Sequence, residues 1–150
     1  MNDPSSPIEV CIANWHRHLR NDLPGGLDAI LHEDCVFLSP IVFTPQRGRE
    51  VTKLYLTAAG ATLGGDTGTV TDAVNSTPSA GGFRYVKEIL QGNHAMLEFE
   101  TEIDGVLVNG VDIIRWNESG RIVDFKVMLR PLKAINLVQQ RMAAMLQSGP

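Results

Sequence analysis

The 150-residue sequence has little cysteine, no basic cluster and no long apolar run. Its two cysteines, Cys11 and Cys35, have no metal-ligand spacing and no accompanying Cys or His pair. They read as free, buried thiols in a reducing compartment. No apolar stretch reaches the ~20 residues that a bilayer-spanning helix needs, which argues against a membrane partner. The 13 Lys and Arg against 17 Asp and Glu leave a net charge of -4 with no basic patch, which argues against nucleic acid as a partner. No phosphate-cradling glycine loop is evident, because Gly64-Gly65-Asp66-Thr67-Gly68 follows a helical pattern and not a strand. No two histidines share metal spacing with a carboxylate, so the expected cofactors and metals are none. The start, MNDPSSPIEV, lacks the positive and apolar regions of a signal peptide, and the expected location is cytoplasmic.

What is present is the composition of a globular protein, with 43% hydrophobic and 20% charged residues, and its length suits one domain over 1–150. Ser6 and Pro7 suit the start of a helix. From there Ile8, Cys11, Ile12, Trp15 and Leu19 recur at helical spacing, so that Trp15 faces the core and His18 borders the stripe. A short second helix is predicted over 26–32 and a strand over 35–39, closed by Pro40. Residues 48–63 read as a third helix with Val51, Leu54, Tyr55 and Ala58 inward. The glycine-rich run 64–82 reads as a long loop, either an insertion or a lid. Strands follow over 83–90 and 94–103; in the second, Leu97, Phe99, Thr101 and Ile103 alternate with outward glutamates. A final helix is predicted over 132–146, and the element order gives an α+β fold.

The most informative stretch is Val106 to Arg130, two Val-, Ile-, Phe- and Trp-rich runs around Asn117-Glu118-Ser119-Gly120, which reads as a β-hairpin. A four-residue loop would pair Trp116 with Arg121 and Asp112 with Phe125. One face then carries Val108, Gly110, Asp112, Ile114 and Trp116, with Val123, Phe125, Val127 and Leu129 on the second strand. Asp112 is the single ionisable group on that face. A lone carboxylate among apolar side chains is costly unless paired, or has its pKa raised.

The segments HEDCVFLSP, GREVTKLYL and GVDIIRWNESGRIVDFKVMLRP, in this order, resemble the ketosteroid-isomerase and SnoaL-like branch of the nuclear-transport-factor-2-like superfamily over nearly the whole chain. The resemblance implies a cone-shaped α+β barrel: a strongly curved, mostly antiparallel sheet packed on N-terminal helices, with an extra C-terminal helix. It also implies a small hydrophobic ligand in the cone and a homodimer formed through the outer sheet face. Asp112 falls in D-[IV]-[IM]-R-[FW], the motif that in those isomerases holds a protonated aspartate contributing to an oxyanion hole. Two positions depart from the pattern. Ser39 stands where those enzymes have an aspartate base, and Trp15, or a close neighbour, where they have a tyrosine.

The expected catalytic residues are therefore Asp112 and His18, the histidine as an alternative base. The expected ligand-binding residues are Trp15, Ser39, Tyr55, Phe99, Thr101, Ile114, Trp116 and Phe125. The competing reading for Asp112 is a structural carboxylate bonded to a backbone amide or to Trp15, and that for Tyr55 is an aromatic core residue. For function, an isomerase, dehydratase or cyclase acting on an apolar carbonyl compound stands against a dimeric ligand-binding or accessory protein without chemistry.

Overall fold

The computed structural model describes residues 7–64, 70–71 and 82–148. Helix α1 (Pro7–Leu19) is followed by one turn of helix, α2 (Leu27–Ile30), and by strand β1 (Leu31–Leu38). Next come β2 (Gln46–Arg47), helix α3 (Arg49–Leu63) and the two-residue β3 (Val70–Thr71). Four long strands, β4 (Phe83–Gln91), β5 (His94–Ile103), β6 (Val106–Trp116) and β7 (Ile122–Arg130), then lead to helix α4 (Leu132–Ser148). The strands form one curved sheet in the order β2-β1-β7-β6-β5-β4-β3, and the helices pack on one side of it. Pairing is antiparallel except between β1 and β7 and between β3 and β4. This is the expected cone-shaped α+β barrel with a C-terminal helix. Ser6 and most of the 64–82 segment lie outside the described residues.

Local chemistry shapes the sheet. Asp104 and Gly105 both take positive φ (50° and 75°), the backbone of a tight two-residue hairpin turn. At Gly110, on the concave face of β6, an added Cβ would collide with the Phe99 ring, the Leu129 side chain and the Met128 carbonyl. The absence of a side chain there is what lets Phe99, Leu129 and the Met128 carbonyl close over β6. The concave face, with Leu97, Phe99, Ile103, Val108, Ile114, Trp116, Phe125 and Val127, is buried beneath Ile8, Cys11, Ile12 and Trp15 of α1 and Leu56, Ala58 and Leu63 of α3.

Four expectations need correction. The first strand begins at Leu31, so the preceding helix is a single turn, not one that reaches residue 32. In α3 the buried positions are Thr52, Leu56, Ala58, Thr62 and Leu63, while Leu54 is half exposed; buried threonines break the apolar count on which the predicted stripe rested. The β6–β7 loop holds five residues, closed by Asn117 N–H to Arg121 O (2.8 Å) and anchored by the Asn117 side chain, which accepts from the Ser119 and Arg121 amides. As a result Trp116 pairs with Ile122, a bulge follows Arg115, and Asp112 lies opposite Val127 instead of Phe125. The bulge also turns Ile122 inward in place of Val123.

Candidate functional site

Asp112 lies midway along β6 on the concave face and is 6% exposed. Its Oδ2 accepts a 2.7 Å hydrogen bond from the Tyr85 hydroxyl of β4, and the same Tyr85 oxygen accepts one of 3.0 Å from Trp15 Nε1 of α1. An indole N–H can only donate, so the chain has one polarity: Trp15 to Tyr85, Tyr85 to Asp112. Asp112 Oδ1 has no partner among the described residues. Burial lifts the Asp112 pKa from 3.8 to about 7, against a smaller downward pull from the Tyr85 hydrogen bond. Burial, and after it the charge of Asp112, push the Tyr85 hydroxyl well above its ordinary value, so Tyr85 stays a neutral donor.

A cavity of about 80 Å³, open on one side, adjoins this group. Its wall combines Asp112 and Tyr85 with Trp15, His18 and Leu19 of α1, Leu56, Ala59, Gly60 and Leu63 of α3, Gly64 just beyond it, and Phe83, Phe125 and Val127 of the sheet. Its polar groups are few and its surface is mainly carbon. Trp15 packs on Phe125 with ring centroids 5.0 Å apart and on His18 at 5.2 Å. Burial lowers the His18 pKa, which leaves a neutral imidazole at neutral pH. Among the described residues no group of three or more His, Cys, Asp and Glu gathers as a metal would need, and no helix is long and apolar enough to cross a membrane.

Of the residues singled out in the sequence, the cavity brings together Asp112, His18, Trp15 and Phe125. The others lie elsewhere. Ser39 Oγ accepts from the amides of Ile41 (2.9 Å) and Val42 (3.2 Å), capping the turn after β1, and faces a separate surface depression with Phe43 and Met128. Tyr55 is only partly buried and stacks on Phe37 (5.3 Å), away from the cavity wall, because the core-facing side of α3 is rotated from the predicted one. Phe99 stands behind the wall, stacked on Phe83 at 4.8 Å. Thr101 is buried nearer the β5–β6 turn, beside Val108, its Cα partner on β6. Ile114 is fully buried in the core, and Trp116 borders a depression at the opposite end of the strand, near Cys11 and Asn93. The alternation along FRYVKEIL places Phe83 and Tyr85 on one face, a signal that could have marked Tyr85 as inward. Its hydrogen bond to a strand two places away had no signature in the sequence.

No family model matches this chain, and no curated protein matches it. Solved structures do. A steroid delta-isomerase from Pseudomonas aeruginosa is 28% identical with a TM-score of 0.78, over 96% of this chain and 94% of that one. A protein with a cystatin-like fold from Silicibacter pomeroyi is 27% identical with a TM-score of 0.73, over 92% and 86%. An NTF2-like protein of unknown function from Mesorhizobium loti, 18% identical with a TM-score of 0.64 over 87% and 97%, shares the fold. The curved sheet and the cone under its helices are those of a nuclear-transport-factor-2-like protein. Within that superfamily the likeness to the steroid delta-isomerase supports the ketosteroid-isomerase and SnoaL-like branch.

Proposed function

We propose that the protein binds a small hydrophobic carbonyl compound in the cone and promotes its enolisation, as an isomerase, dehydratase or cyclase would. The observation that carries this reading is Asp112: a buried carboxyl on the wall of a carbon-lined cavity, its pKa raised to about 7, Oδ2 held by Tyr85 and Oδ1 without a partner among the described residues. In its protonated form Asp112 donates from Oδ1 to the ligand oxygen, and the bond strengthens as negative charge develops there. His18, neutral and on the same cavity wall, takes the proton from the adjacent carbon. Trp15 and Phe125 supply the apolar surround.

A second reading, a ligand-binding or accessory protein without chemistry, is favoured by Ser39, which takes the place of a carboxylate base and has its hydroxyl engaged in a turn. Either form is proposed to be a homodimer through the outer sheet face, where Leu107 and Met128 are exposed. The two buried, free cysteines support a cytoplasmic setting.

Deuterium exchange at the carbon next to the carbonyl of a cyclic enone, followed by NMR, separates the two readings. The wild type is expected to catalyse exchange, with a loss of about a hundredfold in Asp112→Ala and a comparable loss of about a hundredfold in His18→Ala. Ligand binding without exchange in the wild type would establish the binder. Native mass spectrometry of the same samples reads the bound ligand and the dimer together.

A further inference from the structure

Phe43 is 100% exposed, the one aromatic among the exposed large hydrophobic side chains of the described residues. The loop that carries it is tied down. Pro40 and Pro45 bracket it, Ser39 Oγ accepts from the Ile41 and Val42 amides (2.9 and 3.2 Å), and Gln46 Nε2 donates to Thr44 O (3.0 Å) where Gln46 pairs with Phe37 of β1. A ring held in water by such a loop forgoes its burial in the monomer and has little conformational entropy left to lose on contact, the profile of an interface anchor.

Phe43 stands at the edge of a depression of about 580 Å³ that its own ring does not fill. Leu38, Pro40 and Pro45 wall this hollow together with Val127, Met128 and Leu129 of β7. Lys126 is the one charged residue on the wall and has no ion-pair partner among the described residues. An apolar hollow with a cation on its wall fits an aromatic ring, which buries carbon and can offer its face to the ammonium group. Met128 also borders a second depression at Val111, and the strand register continues the apolar band to Ile113 and Met96. Ion pairs flank the band: Arg84 with Glu100, Lys87 with Glu98, and Arg115 with Asp124. An apolar centre inside a polar rim is the anatomy of a protein interface. The chain carries a net charge of -4, yet this face is largely neutralised in pairs, so it offers little countercharge to a strongly charged partner and sets little like charge against a second copy. Ring and hollow lie side by side on one surface. A two-fold axis then lets each copy give one and receive the other.

Resting on the outer-face dimer proposed above, we infer that Phe43 is its anchor: Phe43 seats in the second copy's hollow, and the partner's Phe43 seats beside Met128 in this one. Val127 belongs to the walls of both the hollow and the candidate site and is the Cα partner of Asp112, so the docked ring rests against the strand that closes that site.

Sedimentation velocity of wild type, Phe43→Ser, Met128→Lys and an equal mixture of the two variants tests the exchange, with circular dichroism to follow the fold. Wild type is expected to be dimeric at micromolar concentration. Phe43→Ser, a change at a side chain fully in water, stays folded and weakens the dimer at least about a hundredfold, because two anchors are lost at once. Met128→Lys, at a half-exposed position, stays folded and has a comparable effect by charging the hollow. The mixture is expected to form a heterodimer at least about tenfold tighter than either variant's homodimer, since it returns one intact ring to one intact hollow. A Phe43→Ser chain that dimerises as the wild type does overturns the anchor and leaves the outer-face dimer standing. Two weakened variants whose mixture is no tighter than either alone overturn the exchange. A monomeric wild type overturns anchor and dimer together, and none of these outcomes touches the enolisation reading.

Discussion

The two faces of the sheet treat carboxylates in opposite ways. On the convex face Glu100 accepts from Arg84 (2.9 Å), Glu98 lies 3.7 Å from Lys87 and accepts from Asn109, and Asp124 accepts from Arg115 (2.7 Å). On the concave face the partner of Asp112 among the described residues is a phenol, with no cation beside it. Solvent-exposed ion pairs need little from the fold, since water carries most of the solvation and each contributes at most about 1 kcal/mol. Inside, the same group keeps its charge only at a large desolvation cost, and so holds its proton instead. A carboxyl group is thus an ion-pair partner on one face of the sheet and a holder of its own proton on the other.

The largest break in this contrast is expected from Asp112→Asn. Because the folded-state pKa lies near 7 and the ordinary value is 3.8, the native state binds the extra proton across that window. Wild-type stability should then be fully present below the lower value and fall as pH rises towards 7, by an amount on the order of 4 kcal/mol. Urea melts at pH 4, 6 and 8 should show that decline in the wild type and a flat profile in the variant. An equal slope in both would mean that Asp112 is charged in the fold.

A smaller effect is expected from Tyr85→Phe. The hydrogen bond from Tyr85 pulls the Asp112 pKa down, so its loss should move the carboxyl midpoint upward in a carbon-13 NMR titration. Stability should drop by about 1–3 kcal/mol, because Trp15 Nε1 loses its acceptor. A midpoint that moved downward would contradict the polarity of the chain. The smallest effect belongs to the convex face: Arg115→Ala should change stability by less than about 1 kcal/mol and leave the Asp112 midpoint in place. A shift of that midpoint would show that the two faces communicate through the strand.

The element order and the isolation of Asp112 were legible because alternation along β5 and β6 is nearly unbroken, and because the Asp112-Ile113-Ile114-Arg115-Trp116 motif is contiguous. The register of β7 was not, since one extra loop residue and a bulge shift every partner without altering the apolar pattern of either strand. Tyr55 was misplaced because Thr52 and Thr62, polar by composition, face inward on α3. Tyr85 escaped for a geometric reason. It sits on β4 and Asp112 on β6, about 10 Å apart across a flat sheet, and strong curvature is what brings a phenol within reach. Gly110, over which Phe99 packs, was visible in the sequence, but the approach of Tyr85 to Asp112 was not.

The hydrogen bond from Trp15 spans 70 positions of sequence and ties the first helix to the middle of the sheet. Trp15 also covers Phe125, so α1 is part of what keeps water from Asp112. If that helix lifts, the carboxyl is rehydrated and returns to ordinary acidity. The acid strength of one side chain is therefore a gauge of whether the N-terminal helix is seated: docking and proton affinity are two readings of one equilibrium, and whatever loosens the helix releases a proton near neutral pH.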